Sequence, residues 1–239
     1  MDHAERDRHD AVTREAVREL FASGRADEHG RIDNMTEEQY YHALREWRRH
    51  PDGWQYPAHG SHHLPHDGAS ALRVNREYVE NELQDAHYAR RHESMDHLGK
   101  AVYALEDSYS EPYARRGPAA EHGDPTAPLE SFDGGGYAPG APHSYEHVSV
   151  DADGHLVRGL DQAAAHAAAH VLEEYTDHHN HFVDPEDTAM HVRRAVDPYY
   201  QGYCLLPCPH CQPGYEYMLC VHPSDHLEAH TCGHEHTWQ

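Results

Sequence analysis

Helical periodicity in six stretches, the absence of any convincing strand alternation and a tail that holds every cysteine predict an all-α protein. The expected architecture is a multi-helix bundle with a long irregular loop and a Cys/His-rich C-terminal tail. From Asp10 to Phe21, the residues Ala11, Val12, Ala16, Val17, Leu20 and Phe21 recur at helical spacing. Thr36-Glu37-Glu38-Gln39 is a capping box, in which the Thr hydroxyl and the Gln side chain each satisfy an orphan backbone amide. The helix it opens should bury Tyr40, Ala43, Leu44 and Trp47. A third helix is predicted over about Ser70 to Arg91, with Leu72, Val79, Leu83 and Ala86 inward. A fourth is predicted over about Met95 to Tyr109, with Leu98, Ala101, Val102 and Leu105 inward.

Between Glu111 and Gly159, Pro112, Pro118, Pro125, Pro128, Pro139 and Pro142, with Gly134-Gly135-Gly136, forbid a long regular element. An alanine-rich helix follows from about Leu160 to Tyr175, then a shorter one from Pro185 to Val196. The resulting division is a helical metal-binding domain over 1–198 and a Cys/His-rich tail over 199–239.

Charge narrows the function. Nineteen Lys and Arg against 42 Asp and Glu give a net charge of −23, which disfavours long nucleic acids and anionic bilayers as partners. No apolar stretch approaches the roughly 20 residues of a membrane helix. MDHAERDRHD at the start carries no apolar signal segment, so a cytoplasmic setting is expected. Twenty-eight histidines beside so many carboxylates are the side chains from which divalent-metal sites are built.

Two segments carry a resemblance. HDAVTREAV, His9 to Val17, is similar to the opening His-x-x-Ile-Thr-x-x-Ala-Leu helix of bacterial zinc-dependent phospholipase C-like proteins. LGKAVYALEDSYSEPYARR, Leu98 to Arg116, resembles their Leu-Gly-x-Ala-Leu-His-x-Leu-x-Asp helix, shared with the single-strand-specific nucleases of fungi and plants. With the segment between them, the similarity covers about half the chain. It implies an all-helical fold around a metal cluster, usually zinc, that hydrolyses phosphate esters. By position, the resemblance makes His9 a first-helix ligand and Asp107 a metal-bridging carboxylate. It sets His66-Asp67 at a His-aromatic-Asp segment, here without the aromatic, and His143 and His147 near the last ligand pair, with Asp151 four further on. Three positions depart from the pattern. Tyr103 stands where relatives have a histidine four residues before the aspartate, Tyr113 where the phospholipases have one six after it, and Glu111 at a position some relatives use four after it. A neutral phenol is a poor zinc ligand, so a cluster reduced to one or two ions is expected.

The expected activity is metal-dependent hydrolysis of a small soluble phosphate ester, with His9, Asp107 and a histidine from His63 or His66 at the metal and Asp67 as general base. The rival reading of His9 is a solvent-facing ring beside Asp7 and Asp10, and of Asp107 a helix-surface or capping carboxylate. A different class of function, a metal-binding or metal-delivery protein on a disabled hydrolase fold, stays open, as does an enzyme using iron or manganese through Glu93 or Glu111. His166 and His170, four apart on one helix face, form either a two-histidine site or the polar stripe of a half-buried helix. The run from His178 to His181 reads as a solvated helix end. In the tail, Cys208, Cys211, Cys220 and His222 have spacing that closes a tetrahedral zinc site. Its rivals are a redox dithiol, a pair of disulfides and a metal-scavenging tail.

Overall fold

The computed structural model describes residues 8–49, 68–110, 114–132, 148–179, 184–200, 230–231 and 237–238. Six α-helices run through the described residues: α1 Arg8–Ala22, α2 Glu37–Arg45, α3 Gly68–Tyr88, α4 Arg91–Asp107, α5 Gly159–His179 and α6 Pro185–Val196. None is long and apolar enough to cross a membrane.

Each helix buries the stripe its sequence encodes. On α1, Val12, Ala16, Val17 and Leu20 are fully buried. On α2, the Thr36 box is formed in both directions, Thr36 Oγ1 accepting from the Gln39 amide at 3.4 Å and Gln39 Oε1 from the Thr36 amide at 3.0 Å. The α-helix gives way at Glu46 to a 3-10 turn, Glu46–Arg49, that carries Trp47 inward. That shift leaves Ala43 only half-buried and buries Tyr41 instead. Val79, Leu83 and Ala86 of α3 meet Leu98, Ala101, Val102 and Leu105 of α4 in the core, across a two-residue connection; the side chain of Leu72 lies outside the described residues. Gly99 permits a close approach of α2 to α4, since a Cβ there would sit 1.9 Å from the Leu44 carbonyl oxygen and 2.6 Å from the Trp47 ring.

The alanine-rich helix is the hub. Ala163, Ala164, Ala165, Ala167, Ala168 and Ala169 are all buried, so α5 is covered around most of its circumference. Small side chains let α1 and α4 lie close on it. It continues through His179, four residues beyond the stretch its apolar periodicity marks.

The proline-rich segment holds more order than its composition suggests. β1 Ala114–Arg116 pairs antiparallel with β2 Leu129–Phe132, with a bulge between Arg115 and Arg116, and a 3-10 helix Pro118–His122 spans the turn. Proline starts the 3-10 helix, where its missing N–H costs nothing, and Gly123 ends it at φ 84°. In the tail, His230–Thr231 (β3) pairs with Thr237–Trp238 (β4). Helix dominates all the same, and these ladders are too short to show an alternating pattern.

The helical unit reaches Tyr199 and Tyr200, both buried. Tyr200 donates to Asn75 Oδ1 at 2.5 Å, and Asn75 Nδ2 donates to the Ala104 carbonyl of α4 at 3.1 Å. Arg116 is buried with no carboxylate partner among the described residues. Its guanidinium donates to the carbonyls of Ser108, Ala127 and Tyr199 and to Ser108 Oγ at 2.7–2.9 Å, and its carbon lies 3.7 Å above the centre of the Tyr109 ring.

Candidate functional site

The first turn of α1 meets the last turn of α4 in a cluster of charge. His9 is 12% exposed, and its Nδ1 lies 2.7 Å from Glu106 Oε2. The other ring nitrogen, Nε2, lies 3.2 Å from Asp107 Oδ1. Glu106 is fully buried and its second oxygen accepts from Thr13 Oγ1 at 2.8 Å. His9 and Thr13 are one turn apart on α1, so a single face of that helix presents both groups to Glu106.

Beside this cluster Arg8 locks the two helix ends. It pairs with Asp161 of α5 at 2.7 Å and donates to the carbonyls of Glu106 and Tyr109 at 3.3 and 3.0 Å. Those carbonyls lie in the last turn of α4 and just past its end, where backbone acceptors run short of helical donors. Tyr103, one turn before Asp107, lies flat on the His9 ring at 3.8 Å and 21°, and Trp47 meets Tyr103 edge-on at 5.6 Å. The aromatic pair closes one face of the imidazole from water.

Electrostatics follow from this packing. Burial alone would favour a neutral His9, but hydrogen bonds to Asp107 and Glu106, reinforced by their charges, push its pKa up to about 9. Even with the ring protonated, one imidazolium faces two carboxylates among the described residues.

Two features fit a metal ion. Ligand atoms about 2.0–2.1 Å from a tetrahedral zinc lie about 3.3 Å from one another, close to the 3.2 Å between His9 Nε2 and Asp107 Oδ1. Glu106 on Nδ1 has the place of the outer carboxylate that fixes the tautomer and orientation of a metal-ligating histidine. The same 3.2 Å also fits an ion pair. Among the described residues no group of three or more His, Cys, Asp or Glu side chains is arranged to hold a metal ion.

The other candidates fall in several places. His63, His66, Asp67, Glu111, Tyr113, His143, His147, Cys208, Cys211, Cys220 and His222 lie outside the described residues. Glu93 sits in the first turn of α4, fourteen residues from Asp107 and so about 21 Å away along the helix axis; the two cannot share an ion. Asp151 is exposed and uses Oδ1 to accept from the amides of Asp153 and His155. His166 and His170 do not converge. His166 pairs with Glu19 at 3.1 Å, whereas His170 faces Glu174 at 3.7 Å and meets the Tyr199 ring edge-on. His178 is half-buried, its ring stacked on His191 of α6 at 4.1 Å, and the side chains of 179–181 lie outside the described residues.

Motif matching marks Asp107 and passes over Glu106, although the sequence holds a signal for it. Glu106 continues the buried stripe Leu98–Val102 at a spacing of four, and a carboxylate on an apolar helix face needs a partner. No comparable signal marks Arg8, Asp161 or Arg116. No family model matches the chain, and no curated protein or solved structure matches it.

Proposed function

We propose that the chain is a metal-dependent hydrolase of zinc-dependent phospholipase C-like type, acting on a small soluble phosphate ester in the cytoplasm. The observation that carries the reading is His9 held between Glu106 on one nitrogen and Asp107 on the other, in a buried cluster with more negative than positive charge. In this reading His9 Nε2 and Asp107 Oδ1 are metal ligands, and His63, His66, Glu111, His143 and His147 supply the remaining donors. Bound there, a zinc, iron or manganese ion supplies an acidified water and a polarised phosphoryl oxygen. The protein does the rest. Glu106 holds the proton on Nδ1 and so turns the Nε2 lone pair toward Asp107, while Thr13 fixes the second Glu106 oxygen. Arg8 and Asp161 keep α1 and α4 in register, and Asp67 takes the proton of the attacking water. Cys208, Cys211, Cys220 and His222 bind a separate structural zinc. The negative charge of the chain turns polyanions away and leaves small esters as substrates.

The test is turnover of p-nitrophenyl phosphate and bis(p-nitrophenyl) phosphate by untagged protein. Wild type should turn over at least one of them, and Asp107→Ala should abolish that turnover. Protein holding less than about one equivalent of metal and hydrolysing neither compound rejects the proposal.

One observation favours the second reading, a metal-binding protein without hydrolysis. Tyr103 stands where the resemblance calls for a ligand, and its ring is stacked on His9. A carrier of this kind keeps most of its metal capacity in Asp107→Ala, because the tail is intact.

A further inference from the structure

Between α2 and the first turns of α4 lies an open cleft of about 530 Å³, with Met35, Ala43 and Met95 as its floor and two imidazole–carboxylate pairs as its rim. The volume falls within the roughly 300–1,000 Å³ of small-molecule sites. Met95 is buried in the core, and Met35 and Ala43 are half-buried beside it. Met35 is set there by its bridge to Ile32, just before the Thr36 cap of α2. An unbranched thioether adapts to guests of different shape, so two of them make a compliant apolar floor.

The rim carries negative charge. His42 of α2 stands one turn before Glu46 in the 3-10 extension, and His92 stands one turn before Asp96 in α4. Asp96 decides the sign of the guest. It is half-buried and has neither a hydrogen bond nor an ion pair among the described residues. Lys100, one turn further along α4, lies 4.0 Å from Glu82 of α3 instead. Arg45, next to Glu46 in sequence, is turned to Asp10 and the Tyr41 hydroxyl. The imidazoles bring further carboxylates, His42 pairing with Glu38 at 2.8 Å and His92 lying 3.9 Å from Glu93. Among the described residues no Lys or Arg lines the cleft.

A metal ion does not suit this place. Among the described residues no three His or carboxylate donors are arranged to hold one, and the cleft is many times an ion's size. An anion would be repelled by Asp96, and a neutral guest would strip water from that carboxylate without replacing it. We propose that the cleft between α2 and α4 binds a small protonated organic amine, its ammonium group on Asp96 and its hydrocarbon body on Met35, Ala43 and Met95. Asp96 precedes Asp107 by eleven residues, about 16 Å along the α4 axis, so the amine site is separate from the His9 cluster.

Isothermal titration of full-length, chelator-treated protein at pH 7.5 tests it, with 2-phenylethylamine, 2-phenylethanol, phenylacetate and methylamine as probes. The first three share an apolar body and differ in charge, and methylamine has the charge without the body. Phenylethylamine should bind one to one with a Kd below about 1 mM. The alcohol and methylamine should each bind at least about tenfold more weakly, the loss of one charge-assisted contact or of the buried ring. Phenylacetate should not bind. Asp96→Asn should weaken phenylethylamine about tenfold and leave the alcohol unchanged, whereas Asp153→Asn, an exposed carboxylate in a distant turn, should change neither. Met35→Ala should weaken amine and alcohol alike. Absence of phenylethylamine binding overturns the proposal, as does equal binding of the alcohol or of methylamine, or an Asp96→Asn protein that binds phenylethylamine as wild type does.

Discussion

Arg116 and His9 are two cationic side chains buried in one bundle by opposite means. Among the described residues Arg116 has only neutral partners, three carbonyls, one hydroxyl and the face of Tyr109, and burial pulls its pKa below the usual guanidinium range. His9 has two carboxylates, and its pKa is driven the other way. The first arrangement spends three hydrogen bonds on backbone carbonyls and one on a hydroxyl, and it joins the end of α4 to the hairpin and to the segment after α6. Among the described residues the second sets two carboxylates against one imidazole beside an aromatic wall. One site is a structural staple, and the other is the cluster that the proposed function reads as a cation site.

The comparison breaks most visibly at Arg116. Arg116→Met should cost about 4 kcal/mol in urea unfolding, because four hydrogen bonds to a charged donor vanish and their acceptors stay buried. Asp107→Asn should cost chelator-treated protein less, about 2 kcal/mol near neutral pH, since Glu106 still pairs with His9. A smaller loss for Arg116→Met than for Asp107→Asn contradicts the division of roles.

Next in size is a pH effect at His9. Its folded pKa, about 9, lies above the ordinary imidazole value of 6.5 expected in the unfolded chain. The stabilisation is therefore fully present below about pH 6.5 and is lost as pH rises through 9. In chelator-treated protein the loss between those limits should be about 3 kcal/mol relative to His9→Asn. Parallel pH curves for the two proteins would show that the ring is not held between the two acids.

Gly99→Ala should cost about 2 kcal/mol, because its methyl group must push the Leu44 carbonyl and Trp47 off α4. It also disturbs the Trp47–Tyr103 wall over His9, so an altered tryptophan fluorescence should accompany the loss of stability. The smallest effect belongs to Thr36→Ala, about 1 kcal/mol from the broken capping box and no change at His9. Both are read from thermal or urea unfolding, and an order reversed between them would put the tight α2–α4 contact in question.

Much of the helical frame was readable because periodic burial is a local property. Val12, Ala16 and Leu20, the Thr36 box, and Leu98, Val102 and Leu105 each announce their element within one or two turns of sequence. The hairpin Ala114–Arg116 with Leu129–Phe132 was not readable, since three- and four-residue strands among prolines leave no alternation to detect. In the cluster around His9, the meeting of His9 with Asp107 was accessible only through resemblance at two segments. Glu106 was accessible through its place on a buried stripe. Arg8, Asp161 and Arg116 bond to carbonyls and carboxylates eight to 153 positions away, contacts that no local pattern encodes. The stack of His178 on His191 is a contact of the same kind, since nothing beside His178 in the sequence announces that α6 folds back against it.

The claim that His9 and Asp107 grip one cation is tested most directly by counting ions. Untagged full-length protein is dialysed against zinc at a buffered free concentration, and elemental analysis is compared between wild type, His9→Asn and Asp107→Asn. Each substitution should remove at least one equivalent of zinc while a chain cut after Tyr200, which keeps the buried Tyr199 and Tyr200, retains it. Equal zinc in wild type and both variants, with all of it lost on removing the tail, would contradict the account.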